Sequence, residues 1–300
     1  IIIMITRSIY IGNPAYLKLK DEQMYILEPS TKEMKGKVPV EDLGLLMLDH
    51  FQITISHQLI QKMMGNNVVI VSCDGHHLPH GIMLPLYGHT EHSDRIKDQL
   101  EASEPLKKQL WKQTVECKIE NQKEVLKRLG NYYEPMMGYQ NNVKSGDSTN
   151  MEGIAAQHYW KHLISLDFLR QRFGDSPNQF FNFGYSVLRS ILARAIVETG
   201  LLPVLGIFHK NKYNPYCLAD DLMEPYRPFV DLLVMQWLAV NPETEELTKE
   251  FKAFILQIAT KDVKIDDKTR PLLVAVKTTA TSLYRCYTGE KRLISYPELI

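Results

Sequence analysis

HHLPHGIMLPLYGHTEH, residues 76–92, divides a 300-residue chain into two unlike parts. Upstream, apolar residues come in short runs: SIYIG (8–12), AYLKLK (15–20), QMYILE (23–28), QITIS (52–56) and VVIVSCDG (68–75). Several of these alternate as a half-buried strand does, and polar, Gly and Pro residues punctuate them. VPVEDLGLLMLD (38–49) reads as a short helix feeding a strand or as one strand with a bulge. HQLIQKMMGNN (57–67) reads as a short helix ended by Gly65 and Asn66. From residue 93 onward the apolar period lengthens to that of helices. The expected fold class is therefore α+β, an N-terminal β-sandwich domain over residues 4–88 followed by an all-helical C-terminal domain over 93–300, with a linker at about 76–92. That linker carries five histidines, His76, His77, His80, His89 and His92. Only Asp74 and Glu91 lie near enough in sequence to complete a metal set, so a linker with partly exposed histidines is the preferred reading.

Composition narrows the class. Hydrophobic residues make up 44%, enough for a packed core, and 35 Lys+Arg balance 35 Asp+Glu. A neutral total does not advertise a nucleic-acid binder, but binding needs only a local basic surface. Cys73, Cys117, Cys217 and Cys286 lie far apart with no CxxC pair, which argues against a zinc ribbon or a disulfide framework and fits a reducing cytoplasm. Met4 is expected to mark the natural start, and Ile1–Ile3 are left out of the reading. With no signal peptide and no apolar run of about 18 residues, no membrane association is expected.

In the second part, Ser93 is expected to cap a helix to about residue 102, and Pro105 to open a long one stopped by Gly130. Asn150 is the expected N-cap of a helix over 151–172, and a further helix covers 176–200, ended by Gly200. DVKIDDKTRP (262–271) reads as a turn before a last helix that Pro271 opens and Gly289 closes.

The chemistry concentrates in LGIFHKNKYNPYCLADDLMEPYRPFVD, residues 205–231. His209 lies in a turn-rich loop; Asp221 and Glu224 follow, three apart, so that on a helix they share a face. A neutral imidazole beside carboxylates is a ligand set for a divalent cation. Glu152, in the first turn of the 151–172 helix, is the candidate further ligand; a first-turn Glu is often only a partner of the helix dipole, and on spacing alone that is the preferred reading. Two acids and one histidine with open positions suit Mg²⁺ or Mn²⁺ better than structural Zn²⁺, and such a cation acts on phosphoryl groups. Lys210, Lys212 and Arg227 are the nearest candidates for phosphate contacts; Arg189 and Arg194 fall off the apolar stripe of their helix and meet phosphate or solvent. Tyr159 and Tyr213 stack on a base or simply pack, packing being preferred, and Asp231 is placed to support the acids. Three function classes fit: a metal-dependent DNA integrase and endonuclease, a non-catalytic DNA-clamping subunit, or a metallohydrolase of a small phosphorylated substrate.

Several segments resemble one family, the CRISPR-associated integrase of the spacer-adaptation complex, in its type II form. They are NMEGIAAQHYW (150–160), NFGYSVLRSILARAI (182–196), GIFHKNKYNPYCLADDLMEPYRPFVD (206–231), VPVEDLGLLMLD (38–49), WKQTVECKIENQ (111–122) and RPLLVAVKTTATSLYRCYTGEKRLISYPEL (270–299). The resemblance covers nearly the whole chain. It implies one divalent ion held by Glu152, His209 and Glu224, with Asp221 a further acid near the site. It also implies homodimers that join a small ferredoxin-like partner protein in a hetero-hexamer clamping double-stranded DNA. The implied activity is attack of a DNA 3′-hydroxyl on a phosphodiester at the edge of a CRISPR repeat, inserting a new spacer, or, with water as nucleophile, DNA cleavage.

Overall fold

A computed structural model describes residues 7–86, 89–171, 174 and 176–299. The chain opens with strands β1 (Arg7–Ile11), β2 (Ala15–Lys20), β3 (Gln23–Leu27) and β4 (Met34–Pro39). One 3₁₀ turn, Val40–Asp42, then feeds β5 (Leu43–Leu48), which resolves the two readings of residues 38–49 in favour of a helical turn before a strand. Next come β6 (Ile53–Ile55), α1 (His57–Gly65), β7 (Val69–Cys73) and β8 (Pro79–Met83). They form two four-stranded sheets, ordered β1-β5-β7-β8 and β4-β3-β2-β6. β1, β5 and β7 run parallel, and β8 closes that sheet antiparallel to β7. β8 thus occupies much of the stretch expected as a linker. Its Pro79 stands at the first position of an edge strand, where a missing N–H costs no ladder bond, and the surrounding histidines hide its alternation.

The two faces of the first sheet are both buried. Leu46 and Ile70 join Leu17, Met24 and Val38 of the other sheet, with Leu59 and Met63 of α1, in one apolar cluster. Leu45, Met47, Val69 and Val71, on the opposite face, belong to the large cluster of the helical part. Burial on both faces is why LGLLML in β5 is continuously apolar rather than alternating.

The helical part begins with α2 (His92–Glu101) and α3 (Glu104–Arg128). Ser103 caps α3 by accepting from Leu106 N, and Gly130, at φ +71°, ends it. Then follow α4 (Pro135–Asn141), α5 (Met151–Leu163) and α6 (Asn178–Glu198). α5 stops at Leu163 instead of reaching 172; Leu166 and Leu169, beyond its end, are exposed. α6 is buried along most of its length and packs on β7 and β8 as well as on helices of its own part.

The central stretch forms α7 (Cys217–Met223), one 3₁₀ turn (Glu224–Tyr226) and α8 (Arg227–Val240). Pro225 and Pro228 divide what would otherwise be one helix, each sitting in a first turn where no N–H is needed. Gly184 lets α6 approach α8: a Cβ there would lie 2.5 Å from Val230 Cγ1. α9 (Lys249–Ile255) precedes β9 (Asp262–Ile265), β10 (Lys268–Pro271) and α10 (Leu272–Tyr287). The β9–β10 hairpin corrects the expectation of an all-helical second domain. Asp266 and Asp267, both at positive φ, supply the tight turn, and strands of four residues each are too short to show a period. No helix among the described residues is long and apolar enough to cross a membrane.

Candidate functional site

α3 carries the floor of the site. Leu110, Trp111, Val115, Ile119, Val125 and Leu126 make its buried stripe, and within that stripe lie four polar residues, Thr114, Lys118, Asn121 and Gln122. Asn121 is satisfied by the carbonyls of Pro225 and Pro297. Lys118 points its ammonium at two carboxylates, 2.6 Å from Glu152 Oε1 and 2.6 Å from Glu224 Oε2.

Glu152 is delivered by the first turn of α5. The expected cap, Asn150, is in the left-handed region and makes no cap bond. Asp147 replaces it, accepting from Met151 N at 2.8 Å and Glu152 N at 3.0 Å, so the helix start and the Glu152 backbone are held by one carboxylate. Glu224 opens the 3₁₀ turn between α7 and α8 and is 5% exposed. Arg227 Nε donates to its Oε1 at 2.9 Å. Burial alone would raise the Glu224 carboxyl, but Arg227 and Lys118 outweigh it and hold it at about 2. The Lys118 ammonium, 2.6 Å from Glu224 Oε2, is the partner of this buried oxygen.

His209 is placed by Asp221. This carboxylate, inside α7 and fully buried, accepts from Ile207 N at 2.5 Å, Phe208 N at 2.9 Å and His209 N at 3.2 Å, and lies 2.5 Å from His209 Nδ1. Gly206 permits that approach: a Cβ would stand 2.7 Å from Asp221 Oδ2. Phe208 stacks flat on Trp111 at 4.4 Å, and the His209 ring meets Trp111 edge-on. With Nδ1 committed to Asp221, Nε2 is the imidazole nitrogen left to act. The Asp221 hydrogen bond raises the His209 pKa against the effect of burial, with Glu224 and Glu152 adding to it across the site. Asp221 therefore orients His209 and fixes the 207–209 loop rather than offering a free oxygen.

Two carboxylates and an imidazole are donors of the kind a hard divalent cation takes. Among the described residues, however, no three His, Cys, Asp or Glu side chains are grouped to hold a metal ion, and the space between Glu152 and Glu224 is taken by the Lys118 ammonium.

The basic candidates separate. Arg227 belongs to the site through Glu224, and its guanidinium lies over the Tyr185 ring at 4.4 Å. Arg189 donates to Asp220 at 2.6 Å, on the wall of a cleft of about 840 Å³ that also touches Lys118, Arg170, Glu224 and Arg227. Lys210 and Lys212 line a second cleft, of about 410 Å³, that reaches His209; Lys210 pairs there with Glu104 at 3.1 Å. Arg194 is buried and donates to the Asn67 carbonyl at 2.5 Å, so it ties α6 to the N-terminal part and is no DNA contact. Tyr159 packs as preferred, buried and donating to Asp231, while Tyr213 does not pack: it is exposed, with Lys212 over its ring. Lys118 and Trp111 were missed as site residues. Their signal was a lysine set among apolar positions of a long helix face.

The family model for "CRISPR associated protein Cas1" matches residues 9–262. A CRISPR-associated endonuclease Cas1 from Neisseria meningitidis serogroup C is 31% identical over 300 residues, covering 99% of this chain and 97% of that protein. This chain belongs to the Cas1 family. Among solved structures, a casposase bound to integration product superposes at a TM-score of 0.81 with 20% identity, covering 96% of this chain and 92% of that one. A partial Cas6–RT–Cas1–Cas2 complex gives 0.64 with 17% identity, covering 98% of this chain and 100% of that one. These two likenesses describe the fold. Within the Cas1 family frame, the corner built by α3, α5, the 207–209 loop and the 224–226 turn is the place where this chain gathers its acids and its histidine.

Proposed function

We propose that the chain is a divalent-metal-dependent DNA endonuclease and integrase, using Mg²⁺ or Mn²⁺, that inserts new spacers into a CRISPR array. The observation that carries this reading is that Glu152 and Glu224, 72 residues apart in sequence, share the Lys118 ammonium and that the charges of both act on His209, between two clefts with basic walls. Glu152, His209 Nε2 and Glu224 would hold the ion, which when bound supplies the charge that polarises a phosphoryl oxygen and activates a hydroxyl. Asp221 keeps the imidazole aimed. Arg227 braces Glu224, and Lys210, Lys212 and Arg189 take phosphates of a duplex along the clefts. A DNA 3′-hydroxyl attacks a repeat phosphodiester and the leaving strand departs with its own 3′-hydroxyl; water in the same position gives cleavage. A relative that is an endonuclease, a casposase bound to integration product and an assembly that includes Cas2 support this class of reaction and partner. On this reading the protein is cytoplasmic. It works as a homodimer in a hetero-hexamer with a small ferredoxin-like partner, its N-terminal β-sandwich (4–88) and helical catalytic part (93–300) serving as two domains.

The test is joining of a labelled duplex with free 3′ ends to a repeat-bearing plasmid in Mn²⁺. Glu152→Ala, His209→Ala and Glu224→Ala should each lose more than the roughly 10–100-fold typical of an outer ligand partner, and Asp221→Asn should fall inside that range. Unaltered joining in Glu152→Ala and His209→Ala would overturn the assignment. The ammonium between the acids favours one rival, a clamp that never joins DNA. That rival predicts equal binding of duplex ends with and without Mn²⁺ and no product from the wild type.

A further inference from the structure

Lys118 has no part in the reaction as set out above, yet it is a buried charge at the heart of the site. It is 8% exposed, on the buried stripe of a 25-residue helix. Its ammonium lies 2.6 Å from one oxygen of each of two carboxylates that come from different elements. Without a cation between them, two such carboxylates repel each other and lose water without compensation. An ammonium supplies that charge through a single close contact to each carboxylate, where a divalent ion would bring twice the charge. Lysine also suits displacement: its charge is a point on a flexible stem, and here the stem borders the 840 Å³ cleft into which it can withdraw.

We propose that Lys118 is the resident cation of the metal-free site: it holds Glu152 and Glu224 together until a divalent ion arrives, competes with that ion for both carboxylates, and on displacement turns its ammonium to the cleft where a DNA phosphate lies. Lys118 is thus a positioning residue that sets the metal concentration at which the site assembles. This inference rests on the metal reading of the preceding section and adds a competitor to it.

Calorimetric titration of the full chain with Mn²⁺, together with thermal unfolding in EDTA and in Mn²⁺, tests the idea. Lys118→Met should bind Mn²⁺ about tenfold more tightly than wild type, the size of coupling expected for groups in direct contact. It should also melt below wild type in EDTA and gain more than wild type from Mn²⁺. If Lys118→Met does not fold in EDTA, Lys118→Arg decides: a guanidinium grips carboxylates through paired hydrogen bonds and should weaken Mn²⁺ binding by about tenfold. Equal Mn²⁺ affinity in wild type and the folded variant would overturn the role of Lys118 while leaving the metal site standing. Absence of Mn²⁺ binding in wild type and variants alike would instead remove the metal reading itself.

Discussion

At the seam between the sheets and α9, Lys252 is buried and donates to Asp49 Oδ2 at 2.8 Å. Tyr10 donates to the same oxygen at 2.6 Å, and His77 Nδ1 lies 2.8 Å from Oδ1. Burial pushes the Asp49 carboxyl up, and these partners bring it below its ordinary value. Lys118 makes the opposite kind of contact. One ammonium is shared by two carboxylates, and a cleft opens alongside. Both are buried lysine–carboxylate contacts, so burial and charge do not tell them apart. Saturation does: three groups converge on the one Asp49 carboxylate, which joins parts of the chain, whereas two carboxylates share the single Lys118 ammonium at the edge of a cleft.

The sharpest way to break that contrast is Lys252→Met. It strands Asp49 in a buried place without its cation and should cost about 3–5 kcal/mol in denaturant unfolding near neutral pH. Its Mn²⁺ affinity, measured on the folded protein, should match wild type, because the seam has no share in the site. A loss of stability below about 1 kcal/mol would show that Tyr10 and His77 alone satisfy Asp49, and saturation would no longer separate the two lysines.

Asp231 sharpens the contrast from a third direction, since it is buried with neutral donors only. Tyr159 and Tyr185 donate to it at 2.9 and 2.5 Å. Burial outweighs those bonds and the more distant Arg170 and Arg227, and raises the carboxyl to about 6. A carboxyl raised in the folded state binds more protons there than in the unfolded chain. Its ionisation therefore removes stability as pH climbs from the ordinary Asp range to about 6, and the loss is complete above that. Asp231→Asn should be free of this loss, with an advantage over wild type that grows across that window and then levels off at on the order of 3 kcal/mol. A difference between the two proteins that does not change from pH 4 to pH 8 would mean that tyrosine hydrogen bonds are as good as a buried cation for a carboxylate.

How much of this was legible beforehand follows the same physics. Glu152, His209 and Glu224 could be nominated because side chains that hold ions are few in type and keep helix spacing. Asp221 could be nominated but not assigned, because its use as the anchor of Ile207 N, Phe208 N and His209 depends on how a loop folds back on a helix. Lys118 was passed over because a lysine on a helix reads as solvated until the partners that surround it are known. The β9–β10 hairpin was lost to its length, and β8 to a proline and histidines that look like linker composition. Arg194 shows the converse error: a charge off the apolar stripe was assigned to phosphate or solvent, and in the fold it reaches Asn67 from the neighbouring part of the chain.

Lys210 gives the smallest expected effect and the cleanest limit to the comparison. Its contact with Glu104, at 3.1 Å, has the same partners as the buried clusters, an ammonium and a carboxylate, but both side chains are mostly in water. Solvent screens such a pair, so Lys210→Ala should leave the unfolding midpoint where it is. The cost should appear only with DNA. Lys210 stands on the rim of the cleft that reaches His209, and one phosphate contact contributes about one unit to the slope of log affinity against log salt. Lys210→Ala should reduce that slope by about 1 on any duplex sequence. Arg194→Ala, at a buried arginine, should do the reverse and lower stability with the slope intact. If both variants changed the salt slope equally, burial would be no guide to which basic residues meet DNA, and the division of the arginines and lysines between core and cleft would have to be redrawn.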